Sequence, residues 1–278
     1  MSENRSVVVT GGTRGIGQGL AREFLKRGCR VTITGTSQSS IDKGLAALGG
    51  ESATLTGAVC DIASRDQVQG VWDHAVAKFG RVDIWVNNAG MSLPRKPLPE
   101  IPADDIQKIV NTNLVGVFNG DAVAMKGMLA QGSGYIWNME GFGSNGQASS
   151  GLGPYGATKR ALNYLTKVLI KELKGTGVGM GYLSPGIVVT DLLVQDYEDD
   201  QKQWEKVQKT FNILGDTVET VTPYLAEGVL KTDKNGARVA WLTTGKAAGR
   251  FATAGFRKKR NLFDGIDPRK GVTGSLSA

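Results

Sequence analysis

Histidine occurs once and cysteine twice in these 278 residues. His74 alone supplies neither a metal ligand set nor the base of a Ser–His triad, so no metal is expected and the ring reads as a packed or surface side chain. Cys29 and Cys60 lie far apart, in or beside apolar runs. They make no disulfide framework and fit reduced thiols of a cytoplasmic protein. No run of eighteen apolar residues occurs, and the polar opening at 1–5 passes straight into an apolar run without an export signal. No integral membrane segment is therefore expected. Acidic residues are also in deficit, leaving a formal net charge of +7. From 246 to 278 eight Lys and Arg face two Asp, so almost all the excess sits in one basic C-terminal tail. That distribution argues against nucleic-acid binding. The cluster Arg257, Lys258, Lys259 and Arg260 reads as a solvated patch, or as a docking arm for an acidic partner or membrane.

Glycine, by contrast, is plentiful at 39 residues, and it falls between intact apolar segments. That is the pattern of tight turns and close backbone approach, not of a flexible linker. Short β-branched runs at 6–10, 30–34, 53–60, 83–87, 134–138, 177–183 and 238–243 alternate with segments of helical period. The latter fall at 15–27, 41–48, 65–79, 102–130, 154–174 and 218–231. The alternation predicts an α/β fold: one Rossmann-type, doubly wound parallel sheet of about seven strands with helices on both faces, spanning 1–278 as a single dinucleotide-binding domain. Leu162, Leu165, Val168, Leu169 and Leu173 recur every three or four residues, giving their helix one buried face. Two segments break the rhythm: the Gly/Ser-rich stretch 141–153 and the polar excursion 191–215. Both follow strands, where ligands of open α/β sheets sit, and 191–215 is expected to be a substrate lid.

The most informative local pattern is Thr10-Gly11-Gly12-Thr13-Arg14-Gly15-Ile16-Gly17, directly after the first strand and opening the first helix. Glycines there let the backbone approach a pyrophosphate, whose charge meets free N–H groups at the helix N-terminus. Further on, Tyr155 and Lys159 stand four residues apart on one helix face. A phenol ordinarily titrates near 10, too high for acid–base work at neutral pH, and a nearby ammonium is expected to bring it down.

The spacing TGxxxGxG resembles that of the short-chain dehydrogenase/reductase family, and further matches follow in order. They are Asp61, Asn87-Asn88-Ala89-Gly90, Asn113, Tyr155-x-x-x-Lys159, and Pro185-Gly186 leading to Thr190, so the resemblance covers roughly 6–193. It implies that Tyr155 exchanges a proton with substrate oxygen, that Lys159 also binds the nicotinamide ribose, and that Asn113 helps hold a proton-relay water. It implies cofactor contacts from Gly11, Thr13, Arg14, Gly15, Ile16, Gly17, Thr36, Asp61, Ile62, Asn88, Ala89 and Gly90, and from Tyr155, Lys159, Pro185, Gly186, Val188 and Thr190. One family part is missing. Where a serine usually donates to substrate oxygen, the text reads Asn138-Met139-Glu140-Gly141, and loss of such a donor costs about 2.7–4 kcal/mol of transition-state stabilisation. Ser144 is the nearest replacement, and main-chain N–H groups of the glycine-rich loop are the alternative. Asn-Met-Glu-Gly, Tyr155-Gly156-Ala157-Thr158-Lys159-Arg160, 111–116 and 190–193 resemble the chlorophyll(ide) b reductase branch, which reduces an aryl formyl group on a macrocycle.

The second strand ends in Gly35-Thr36-Ser37-Gln38-Ser39, without the acid that accepts from a ribose 2′-hydroxyl, and Arg14 adds positive charge. NADP(H) is expected over NAD(H). Glu140 is expected to make a structural hydrogen bond in preference to acid–base chemistry. Trp204 and Phe211 either stack on a flat substrate or pin the excursion to the core. The expected function is an NADP(H)-dependent oxidoreductase acting on a small-molecule carbonyl or alcohol, with a non-catalytic dinucleotide-binding redox sensor or scaffold as the alternative. The resemblance implies a homo-oligomer, dimer or tetramer, through the helices at 102–130 and 154–174.

Overall fold

The run Ser6–Val9 (β1) is buried at all four positions, as a strand covered on both faces must be. It lies within a seven-stranded sheet with β2 (Arg30–Gly35), β3 (Leu55–Val59), β4 (Ile84–Asn87), β5 (Gly134–Met139), β6 (Val178–Ser184) and β7 (Arg238–Ala240). The spatial order is β3-β2-β1-β4-β5-β6-β7, with every neighbouring pair parallel. The chain winds outward through β2 to β3, then crosses back past β1 and builds the other half. Loops leave β1 and β4 in opposite directions at that switch, opening a crevice at their carboxyl ends. The computed structural model describes residues 4–256 and 260–272. Arg257, Lys258 and Lys259 of the basic cluster lie outside them.

One face of the sheet is covered by α1 (Gly15–Lys26), α2 (Gln38–Ala47) and α9 (Val218–Lys231), whose Leu20, Phe24, Ile41, Val221 and Leu225 are buried in one apolar cluster, α1 and α2 against β2 and α9 against α1 and β7. The other is covered by α3 (Arg65–Phe79), α5 (Gly116–Gln131) and α6 (Gly153–Glu172), through Val71, Trp72, Val123, Met128 and Leu169. Cys29 and Cys60 are buried in these layers, and burial pushes both thiols up to about 11.

Several boundaries differ from expectation for local reasons. Helix α2 starts at Gln38, three residues early, because Ser37 and Ser40 form a reciprocal capping box worth about 1 kcal/mol. The helix expected over 102–130 begins as α4 (Ala103–Val110), passes through one π turn at Asn111–Val115 and continues as α5. The excursion 191–215 is not irregular. It forms α7 (Asp191–Val194), a 3-10 turn (Gln195–Tyr197) and α8 (Gln201–Leu214). It shares a third apolar cluster with the chain's last described segment: Tyr197 and Trp204 pack against Phe263 and Ile266. Trp204 is fully buried and its indole donates to the Ile266 carbonyl, so it pins the excursion and offers no face to a substrate. Before that segment comes α10 (Thr244–Thr253), and Arg260 pairs with Asp216, so this end of the chain is built into the fold as far as it is described.

Candidate active site

The glycine turn owes its shape to contacts that only glycine permits. Gly11 has φ +62°, and a Cβ there would stand 2.9 Å from Ala89 Cα. A Cβ at Gly17 would run into Gly11 O and come within 2.5 Å of Asn88 Nδ2. Asn88 closes the cradle from β4: its amide donates to Thr10 O (2.9 Å) and Gly11 O (3.1 Å), while Thr10 Oγ1 accepts from the Asn88 and Ala89 N–H groups. Helix α1 opens there without a side-chain cap or an acid in its first turn, leaving N–H groups and helix dipole for an anion. The donor set and the space fit a dinucleotide pyrophosphate.

The remaining cofactor candidates arrange around this turn. Thr190 comes within 3.7 Å of a Cβ placed on Gly15, and Ile16 packs against the core. Thr13 touches Gly35 and Gly44, which joins the turn to the end of β2, where Thr36 is exposed. No carboxylate stands at 36–39, and the first acid of α2, Asp42, accepts from Gln38. The Arg14 side chain is 76% exposed, with Asp191 3.8 Å away. Asp61 closes its own turn by accepting from Ala63 N–H, and Ile62 packs under Gly116. Gly186, at φ +75°, lies against Leu242 after the buried Pro185, and Val188 bridges to Asp216.

Gly90 is where the two halves of the site meet: a Cβ on it would lie 3.3 Å from Asn113 Oδ1 and 3.9 Å from Lys159 Nζ. Asn113, fully buried in the π turn, clamps Met91 by accepting its N–H and donating to its C=O, both at 2.8 Å. π turns concentrate at functional sites. Lys159 is 5% exposed, donates to Met139 O at 3.1 Å, and lies 5.8 Å from the Tyr155 ring centre. Burial pushes this ammonium down to about 8, against the pull of the Glu140 carboxylate. Tyr155 differs from expectation. Burial, and secondarily the Asp196 carboxyl, hold its phenol above the ordinary range, and the buried lysine does not reverse that. A neutral phenol is the form that gives a proton, which suits the direction of carbonyl reduction.

Gly141 packs directly on this pair. A Cβ there would collide with the Tyr155 hydroxyl and lie 3.1 Å from Lys159 Cε. Ser144 is buried, and its hydroxyl accepts from Gly141 N–H at 3.1 Å, lining a narrow crevice with Glu140, Asn163 and Tyr182. Glu140 is ion-paired with Arg238 and bonded by Asn163, a structural role. Beneath the site, Asn87 and Asn138 each donate to Asp121, tying β4 and β5 to α5, and burial pushes that carboxyl up to about 7 despite both donors. His74 bonds Thr56 Oγ1 and stays structural. Among the described residues no cluster of His, Cys, Asp or Glu could hold a metal ion, and no helix is long and apolar enough to cross a membrane.

A cavity of about 330 Å³ opens beside Gly90, lined by Arg14, Met91, Ser92, Leu192 and Asp196 among others. Ser92 and Asp196 were not legible as site residues. Asp196 stands in the polar excursion and Ser92 in a short segment with no motif of its own, and the packing of 191–200 on 91–97 brings them together.

Residues 5–201 match the family described as short chain dehydrogenase. The chain is 35% identical over 278 residues to the probable chloroplastic chlorophyll(ide) b reductase of Arabidopsis thaliana, covering 94% of this chain and 55% of that one. It is 33% identical over 270 residues to a second chloroplastic chlorophyll(ide) b reductase, from Oryza sativa subsp. japonica, covering 93% and 77%. The chain therefore spans about half the length of the first of these relatives. Among solved structures it resembles 3-ketoacyl-(acyl-carrier-protein) reductase from Brucella melitensis, complexed with NADH, at TM-score 0.76 and 22% identity, over 89% of this chain and all of that one.

Proposed function

This chain belongs to the short-chain dehydrogenase family, and we propose that it is an NADP(H)-dependent reductase of a small carbonyl compound. The observation that carries the reading is that Lys159 stands between Asn113 at Gly90 and the Tyr155 hydroxyl at Gly141, beside a glycine cradle that fits a pyrophosphate. When bound, the nicotinamide supplies or takes up the hydride. The cradle of Gly11, Gly15, Gly17 and the α1 N-terminus holds the phosphates. Lys159, charged at neutral pH and with one donor spent on Met139 O, presents its other donors to ribose hydroxyls and to the proton path. Asn113 fixes the Met91 backbone at the wall of the pocket and serves the relay. Tyr155 gives its proton to the substrate oxygen. Preference for NADP(H) over NAD(H) is supported by the absence of an acid at 36–39 and by the exposed Arg14 guanidinium.

The names of the two plant relatives make an aryl aldehyde, such as the formyl group of chlorophyllide b, the first substrate class to try. A cytoplasmic location rests on the buried thiols, while those relatives are chloroplastic by name, and cell fractionation separates the two. A homo-oligomer is read from the family resemblance, and its test is light scattering. For the function itself, NADPH oxidation is followed against a panel of aldehydes and ketones that includes chlorophyllide b. Turnover on at least one is expected. Tight NADPH binding with no turnover on any would transfer the chain to the non-catalytic reading.

A further inference from the structure

Three connections leave the carboxyl ends of the sheet around the candidate site: 88–97 after β4, 140–152 after β5, and the excursion after β6. One residue touches all three. Arg95 belongs to the first, and its main-chain N–H donates to Asp196 O of the excursion at 3.1 Å. Its guanidinium lies over the buried Tyr197 ring, 5.0 Å from the ring centre, and so meets the excursion again. From there Nη1 crosses to the loop after β5, donating to Ser149 Oγ (3.0 Å) and Ser150 O (3.2 Å). That loop lies close along the arginine stem: Gly151 has φ +80°, and a Cβ on it would stand 3.0 Å from Arg95 Cβ. We propose that Arg95 is a positioning residue for carbonyl reduction, a latch that fixes the excursion over the substrate cavity relative to the loop leading into Tyr155. The proposal rests on the reductase reading and deepens it by naming what sets the width of the pocket.

Both ends of the latch bear on the site. On one side, Leu192, Gln195 and Asp196 of the excursion face Met91 and Ser92 across the cavity, and Arg95 follows directly on the segment that forms the second wall. On the other, Leu152 O accepts from Gly156 N–H at 2.8 Å, so the latched loop runs straight into the first turn of α6, which carries Tyr155. Tyr197 is itself fixed, with ring centres 5.6 Å from Trp204 and 5.9 Å from Phe211. The loop it is joined to is exposed from Asn145 to Ser150. Arg95 therefore ties a flanking loop to a rigid aromatic cluster. A planar guanidinium can stack with its face while donating with its edge, a combination that a lysine ammonium lacks. The neighbouring Lys96–Asp199 pair, 3.0 Å apart, joins two of the same connections, but both side chains are exposed and little is expected of it.

The test measures kcat and KM for a small and a bulky aldehyde by NADPH oxidation, with NADPH affinity, for the full chain and for Arg95→Ala, Arg95→Lys and Lys96→Ala. In Arg95→Ala the small aldehyde should lose about tenfold in kcat/KM, mainly through KM, because a freed excursion no longer holds it against Tyr155. The bulky aldehyde should lose little, so discrimination between the two shrinks by about the same factor. NADPH affinity should stay within a few-fold of wild type. Arg95→Lys, which keeps the charge but not the fork, should stay close to alanine, and Lys96→Ala close to wild type. Equal losses on both aldehydes, undiminished activity in Arg95→Ala, or full recovery in Arg95→Lys would overturn the latch. Backbone amide exchange in the presence of NADPH needs no turnover. In Arg95→Ala, exchange should speed up together in 146–152 and 195–200 and stay unchanged in α1. If the chain turns over no carbonyl, the reductase reading fails and that joint rise still supports the latch. Unchanged exchange in either segment overturns it.

Discussion

Restoring the family's missing serine is expected to damage this site, not improve it. In Gly141→Ser the new Cβ would overlap the Tyr155 hydroxyl and press on Lys159 at 3.1 Å (Cε) and 3.2 Å (Cγ). To regain a normal contact the phenol must retreat by about 1 Å. A displacement of that size at a reacting group costs about 10²-fold in rate, or about 2.7 kcal/mol of barrier, and overpacking takes about 1–3 kcal/mol from stability. The assay is kcat for NADPH oxidation with the best aldehyde, alongside NADPH affinity and the thermal midpoint, for Gly141, Gly141→Ala and Gly141→Ser. The steric account expects alanine and serine to be similarly poor, with NADPH affinity little changed. A serine variant faster than wild type, with alanine unchanged, would refute it and show that the site merely lacks a donor.

Gly17→Ala places a methyl against Gly11 O and Asn88, so NADPH binding should be lost in a fluorescence titration while the fold persists by circular dichroism. Glu140→Gln removes the carboxylate that holds the Lys159 ammonium up. The folded pKa then drops further below about 8, and the alkaline limb of kcat/KM should move to lower pH. Because that ammonium is depressed in the fold, its own contribution to stability should grow as pH rises from about 8 toward the unfolded value near 10.4. Cys29 and Cys60, raised to about 11, act in the opposite sense, so the contribution is read as the difference between wild-type and Lys159→Met thermal melts across that range. Trp204→Ala empties a fully buried indole from the third cluster, at a cost of about 3–5 kcal/mol in denaturant unfolding. Truncation at 259 removes Phe263 and Ile266 from the same cluster and should lower the thermal midpoint, whereas a free docking arm would leave it unchanged.

The sheet was legible because its strands are apolar runs buried on both faces, and the glycine turn because close backbone contact leaves few residues to choose from. The approach of Tyr155 to Lys159 followed from helical spacing. Burial of their polar ends did not, and it reverses the expected direction of the phenol's shift. The π turn at Asn111–Val115 has no local signature, since its cause is the Asn113 clamp on Met91, 22 residues away in sequence. Strand β7 stops at Ala240, before the expected end, because Thr243 already caps α10 and the Trp241 indole is turned to Asp216. Leu262, Phe263 and Ile266 are a short apolar interruption of a tail that is basic as a whole, and the aromatic cluster around Trp204 shows where they go.

The most direct test of the central claim is Tyr155→Phe, a change of one hydroxyl. NADPH affinity should stay within a few-fold of wild type, while carbonyl reduction falls by about 10²–10⁴, the usual worth of a positioned general acid. Reduction at an undiminished rate in the phenylalanine variant would contradict the account and assign the proton to another group.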